Sequence, residues 1–472
     1  MYSIITYIFA LFLSFLPIPT TSYGDLGTPI SFSPLQTTQD NEKIVENLVF
    51  RKLLTVDNRT GNFYYDLVDS ITSNSESSEY VVKLKKNQVF SDGTEITADD
   101  VLYSASVSTI LKEVSFDKID KYSVKFALPT SYSPFKSLLT FSILPAHVEN
   151  NDTNSLVTSS WYRIVKIKRD GANIKEVLLV KVVPPFLKIQ VKFYGKEEDL
   201  ILASKLGEIN SFMINNDKQI ENFNKKIITF PSRAYVMLFN TKKDYLTKDI
   251  RKQIISNINF DLLLKEQPYR IAKLSQGPLF GTWGYDSSIN FIFNFKPQKI
   301  TVSKESIKVV GADINIIRKI TDSLKQDLER NALLNIDTEL IDNDKFFEKI
   351  RKSDYDILIM AMEFKNDPDR YVFWHSSQVD NGLNYSNISN LRIDKSLERG
   401  RDFTDLKTRK EDYRVFQIVF NEEAPAYFIF SPTRMFYYKN VFKSIDVDNS
   451  FYPYDVLQNV DKWIFQKPRI II

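Results

Sequence analysis

The stretch from Ile307 to Met362 constrains the fold more than any other part of this chain. IKVVGAD (Ile307 to Asp313) reads as a strand, and the segment after it carries Ile317, Ile320, Leu324 and Leu328 at steps of three and four, the single apolar face of a helix. LLNIDTELI (Leu333 to Ile341) alternates through Leu334, Ile336 and Leu340 as a second strand. A short helix around Phe346 and Ile350 then leads into DILIMAM (Asp356 to Met362), whose apolar core is almost unbroken. An unbroken run suits a strand covered on both faces, so the order strand, helix, strand predicts βαβ units in an α/β fold with right-handed crossovers. Open sheets of this kind bind ligands beyond the carboxyl ends of their strands. Here that edge is Glu363-Phe364-Lys365-Asn366-Asp367-Pro368-Asp369-Arg370, read either as a ligand-facing loop or as an ordinary solvated one.

At 472 residues the chain has room for about two or three domains. Its 62 basic and 59 acidic residues nearly cancel, which gives no broad electrostatic reason to expect nucleic acid as a partner. With no cysteine there are no disulfides, thiolate metal sites or lipid-modified cysteines, and two histidines leave little for a histidine-based metal centre. No cofactor is expected. No nucleophile elbow or paired-acid motif stands out, so the chain is read as a non-enzyme. The first 24 residues carry no charge, and Ile4 to Pro17 is an apolar run shorter than the roughly 20 residues of a spanning helix. Residues 1–24 are therefore read as an export signal, with an uncleaved signal anchor as the alternative, and the remainder as an envelope or periplasmic protein.

Elsewhere the pattern is regular. YVVKLK (Tyr80 to Lys85) alternates as a strand, Asp92-Gly93 supplies a turn, and Thr97-Ala98-Asp99-Asp100 opens a capped helix. Ile250, Ile254, Ile255 and Ile258 make one helix face, and Tyr413, Phe416, Val419 and Phe420 make another. AYVMLFNT (Ala234 to Thr241) and AYFIFSP (Ala426 to Pro432) are strands that flank the α/β region and are the candidate crossings between lobes.

VFSDGTEITADDVLYS (Val89 to Ser104) closely resembles the signature of family 5 extracellular solute-binding proteins, the peptide and nickel class that feeds ABC importers. Further stretches follow in that family's order, among them SILPAHV (Ser142 to Val148), KLGEIN (Lys205 to Asn210), NDPDRYVFWHSSQ (Asn366 to Gln378) and RVFQIVFNEEAPAYFIFSP (Arg414 to Pro432). The resemblance implies a two-lobed periplasmic-binding-protein fold, class II-like, with mixed sheets and flanking helices. Lobe one would be residues 25–235 plus 433–472, with an extra subdomain at 51–155, and lobe two residues 236–432. It also implies an oligopeptide ligand captured in an interlobe cleft by hinge closure, a membrane permease as partner, and a monomer. A non-peptide solute such as a metal chelate or an oligosaccharide, and a sensory or chaperone-like module without transport, are the alternatives. Gly93, Thr97 and His147 are expected to serve the fold.

Met360 and Met362 fall where a ligand's main chain would pair with the strand, and core packing is their alternative reading. Peptide binders of the family typically carry an Asp shortly after this strand to hold the ligand's ammonium group. Aligned on Pro368, that position is Phe364 here, with Glu363 one residue earlier and on the opposite face, and with Asp367 as a further substitute. Trp374 is expected to line the cleft, with Lys365 or Arg370 meeting an anionic group; a buried tryptophan and solvated charges are the other reading. Two more departures from the family pattern are SSWYR (Ser159 to Arg163) in place of the Gly-x-Gly-Pro-Tyr-like turn expected before Tyr162, and Ile258-Asn259-Phe260 in place of Ile-Asp-Arg.

Overall fold

The computed structural model describes residues 2–148, 156–265, 272, 274, 276–380, 382–403 and 405–466. They fall into two compact units, one made of Met1–Ile228 with Arg434–Ile472 and the other of Thr229–Thr433. The chain passes between them twice, and the two passages are tied together: Phe230 N–H donates to Pro432 O over 2.9 Å, and the Thr229 and Thr433 hydroxyls lie 3.2 Å apart.

The first unit is built on a seven-stranded sheet, ordered Phe223–Thr229, Thr433–Lys439, Ser211–Ile214, Thr20–Leu26, Lys188–Tyr194, Asn173–Lys181 and Tyr162–Asp170. Thr20–Leu26 is an interior strand, paired in parallel with Lys188–Tyr194 on one side and at Tyr23 and Gly24 with Ser211 and Phe212 on the other. Tyr23 and Thr21 are fully buried. Residue 24, the expected end of the export signal, lies within this strand. The apolar run before it forms a helix, Tyr2–Phe15, and among the described residues no helix is long and apolar enough to cross a membrane.

A four-stranded antiparallel sheet in the same unit, ordered Val68–Ser73, Glu79–Leu84, Ser123–Ala127 and Ser115–Asp120, packs with helix Ala98–Val107 around Val82, Phe90, Val101 and Phe126. Gly93 turns with φ of +88°, where a side chain would be strained. Thr97 N–H donates to Asp100 Oδ2 over 2.8 Å at the helix start, closing the capping box. His147 Nε2 lies 2.6 Å from Asp92 Oδ2 beside that turn. Burial pushes the Asp92 carboxyl up, but the Thr94 N–H and the His147 contact outweigh it and hold Asp92 below its usual range.

The second unit holds a five-stranded mixed sheet. Its strands are β1 (Arg233–Phe239), β2 (Ile307–Ala312), β3 (Ile336–Ile341), β4 (Ile357–Glu363) and β5 (Ala426–Phe430), in spatial order β3, β2, β4, β1, β5. β2 runs parallel to β3 and β4, as the βαβ pattern requires, whereas β1 is antiparallel to both β4 and β5. β4 is covered on both faces. Ile357 and Ile359 join Ile317, Ile320 and Leu324 of helix Asn315–Asp327 in one core, while Leu358, Met360 and Met362 join Phe416 and Phe420 of helix Leu406–Glu423 in the other. Two apolar faces on one strand account for the almost unbroken hydrophobic run.

Candidate functional site

Two features of the five-stranded sheet meet at one edge. The carboxyl end of β4 lies beside the amino end of β1, with Glu363 opposite Arg233, and this is also the edge where the chain enters and leaves the unit. The loop after β4 therefore stands beyond the carboxyl end of a sheet strand, the position that open α/β sheets use for ligands.

The main chain of β4 is only half used there. Its pairing with β1 runs over the full length, from Phe239 opposite Ile357 to Arg233 opposite Glu363, and Phe364 N–H continues the ladder by donating to Ser232 O over 2.7 Å. Pairing with β2 stops at Gly311 opposite Ile359, because β2 ends at Ala312 and Asp313 N–H turns to Ile341 O. Strand alternation directs the backbone groups of Met360, Met362 and Phe364 toward β1, and those of Ala361 and Glu363 to the opposite side. Among the described residues those outward groups of Ala361 and Glu363 have no hydrogen-bond partner. A short length of extended main chain is thus left open beyond the end of β2.

The side chains around it are mostly committed to the unit's own interior. Met360 and Met362 are buried in the core with Trp374, Phe416 and Phe428, so they fill the sheet face and do not present thioethers to a ligand. Phe364 is buried too, with the Phe373 ring centroid at 5.3 Å and the Arg370 guanidinium 4.8 Å above its own ring. Trp374, expected to line a cleft, is 0% exposed; its ring meets Phe420 edge-on at 4.7 Å. It is the last residue of a four-residue helix, Tyr371–Trp374, and packs in one core with Phe416 and Phe420 of helix Leu406–Glu423.

Arg370, expected to meet a ligand anion, is 1% exposed and braces the loop instead. Its Nε donates to Pro278 O over 3.1 Å, and its Nη1 to Asp367 O over 2.7 Å and Asp369 O over 3.2 Å. Asp367, the substitute candidate for an ammonium, is buried and ion-paired with Arg409 at 2.7 Å. Burial pulls the Arg409 guanidinium down, but Asp367 and Tyr413 outweigh it and hold Arg409 above the usual arginine range. Asp369 is likewise taken, by Arg401 at 2.9 Å, while Arg401 lies 3.9 Å above the Tyr371 ring, which itself stacks on His375.

Two expected residues remain at the surface. Glu363 has a side chain 70% exposed and pairs with Arg233 across the β4–β1 ladder. Lys365 is exposed and forms no ion pair among the described residues. Partial desolvation lowers its ammonium below the usual lysine range, with Asp369 pulling the other way. The groups that sequence reading did not pick out are Ala361, whose value lies in its backbone, and Arg233, Arg401 and Arg409, which neutralise the loop's acids from other elements.

The family model for bacterial extracellular solute-binding proteins, family 5 (middle part), matches residues 62–384. The oligopeptide-binding protein AppA of Bacillus subtilis is 24% identical, over 94% of this chain and 91% of its own length. A probable D,D-dipeptide-binding periplasmic protein, DdpA, of Escherichia coli is 22% identical over 86% of this chain and 87% of its own. Among solved structures, HbpA2 from Haemophilus parasuis superposes with a TM-score of 0.77 at 14% identity, covering 93% of this chain and 99% of that one. AppA from Bacillus subtilis in complex with a nonapeptide gives 0.68 at 20% identity over 96% and 100%. These likenesses in structure establish the two-lobed α/β fold. The family model, which matches more than half the chain, makes it a member of the bacterial extracellular solute-binding proteins, family 5.

Proposed function

We propose that this protein is the extracytoplasmic substrate-binding component of an ABC importer, and that it captures oligopeptides by adding their main chain to the open side of β4. The observation that carries this reading is the pair of outward-facing backbone groups at Ala361 and Glu363, left without partners where β2 ends. A peptide that pairs there gains hydrogen bonds that every peptide offers, which suits a receptor for mixed sequences. The named ligands of the Bacillus subtilis and Escherichia coli relatives support the same class. The protein would act as a non-catalytic, exported monomer. Capture would be coupled to bending at the paired passages Thr229–Arg233 and Phe430–Thr433, and the altered shape would be read by a membrane permease.

Isothermal titration with tri- to pentapeptides tests this directly. Ala361→Pro removes one outward N–H without touching the ladder to β1, since that residue's backbone faces the other way. At about 1 kcal/mol per hydrogen bond, affinity should fall about fivefold or more while the far-ultraviolet spectrum is unchanged. Peptides N-methylated at alternate residues probe the same bonds on the unaltered protein and should show a similar loss in one of the two registers. Equal affinity for methylated and unmethylated peptides in both registers, or no peptide binding at all, would refute the reading.

A further inference from the structure

The loop that follows the open strand carries several charges, and all but one are ion-paired or hydrogen-bonded within the second unit. Glu363 is matched by Arg233, Asp367 by Arg409 and Asp369 by Arg401, while Arg370 is enclosed by the carbonyls of Pro278, Asp367 and Asp369. Two of those acids are also shielded from any ligand: the Asp367 side chain is 6% exposed and that of Asp369 is 10% exposed. What the loop offers outward is one ammonium, that of Lys365, two residues beyond Glu363 and so about 7 Å along an extended chain. No acidic side chain of the segment is left uncompensated to receive a cation.

We infer that Lys365 is a specificity-determining residue, and that the site selects peptides presenting a carboxylate, not an ammonium, at the end of the paired segment nearest this loop. The inference rests on the peptide-binding reading and deepens it. An ammonium placed there would face a like charge with no carboxylate free to offset it. A carboxylate would instead gain a charge-assisted hydrogen bond from a side chain whose stem is flexible enough to reach either a terminal or a side-chain acid.

The test is a matched peptide set of one uncharged sequence: free termini, amidated at the carboxyl end, acetylated at the amino end, and amidated with one internal Asp. Each is titrated against the unaltered protein, Lys365→Met and Lys365→Glu. On the unaltered protein, amidation should weaken binding about tenfold or more and acetylation less than about twofold. Lys365→Met should lose the preference for the carboxylate while binding the amidated peptide as the unaltered protein does, and Lys365→Glu should favour the free amino terminus. Recovery of affinity by the internal Asp identifies a side-chain acid as sufficient, and failure to recover identifies the terminal carboxylate; both keep the inference. Tight binding that ignores amidation but is lost on acetylation would overturn it while leaving peptide capture standing. Failure of every peptide to bind would remove the parent reading and this one with it.

Discussion

Asp367 and Arg409 place two charges 2.7 Å apart with almost no water around either. Such a pair contributes little net stability against an apolar alternative, but breaking it leaves one charge buried alone. Arg409→Leu should therefore destabilise the protein by about 3–5 kcal/mol in urea, and joint replacement of both residues by apolar ones should restore much of that loss. Peptide affinity of the molecules that remain folded should be unchanged, because Asp367 does not face outward. This pair also marks where sequence reading stops at the residue scale. Asp367, Arg370 and Trp374 follow a buried strand, which is ground enough to place them near a ligand. Their burial is set by Arg409, Phe420 and Pro278, which lie far along the chain and carry no local signal. Lys365 shows in the sequence only beside a departure: Phe364 stands where an acid is expected, and the arginines that pair with the acids on either side lie on distant elements.

β4 shows what is readable at the scale of the element and what is not. Its run of apolar residues announces a strand buried on both faces, and the spacing of Ile317, Ile320 and Leu324 announces the helix that covers one of them. Parallel pairing of β2 with β3 and β4 follows from that order. Nothing in the sequence reveals that β1 enters antiparallel between β4 and β5, or that β2 ends before β4 does, since pairing length is decided by where the partner chain turns away. The same geometry makes a prediction about backbone protection. In native-state hydrogen exchange the Met360 and Met362 amides, bonded to β1, should exchange slowly, and the Ala361 and Glu363 amides several-fold faster. Adding peptide should slow the second pair and leave the first unaltered. Four equally protected amides without ligand would show that the strand has no open side.

For the molecule as a whole, two compact units are joined by two bonded passages, in a chain that belongs to the family 5 extracellular solute-binding proteins. The family stretches from Val89 to Pro432 made this class legible in the sequence, because turn, cap and strand signals recur in one order over most of the chain. Less legible was the start of the first unit, where the helix of the apolar run ends at Phe15, a core strand begins at Thr20, and only the pairing of Thr20–Leu26 tells them apart. Native mass spectrometry of the purified, unaltered protein, followed by titration with a defined peptide mixture, tests the central claim most directly. The expected result is bound species whose added masses match peptides, released on denaturation and exchanged in proportion to the mixture. Protein that stays at its own mass throughout, or that carries only a non-peptide solute, would contradict peptide capture.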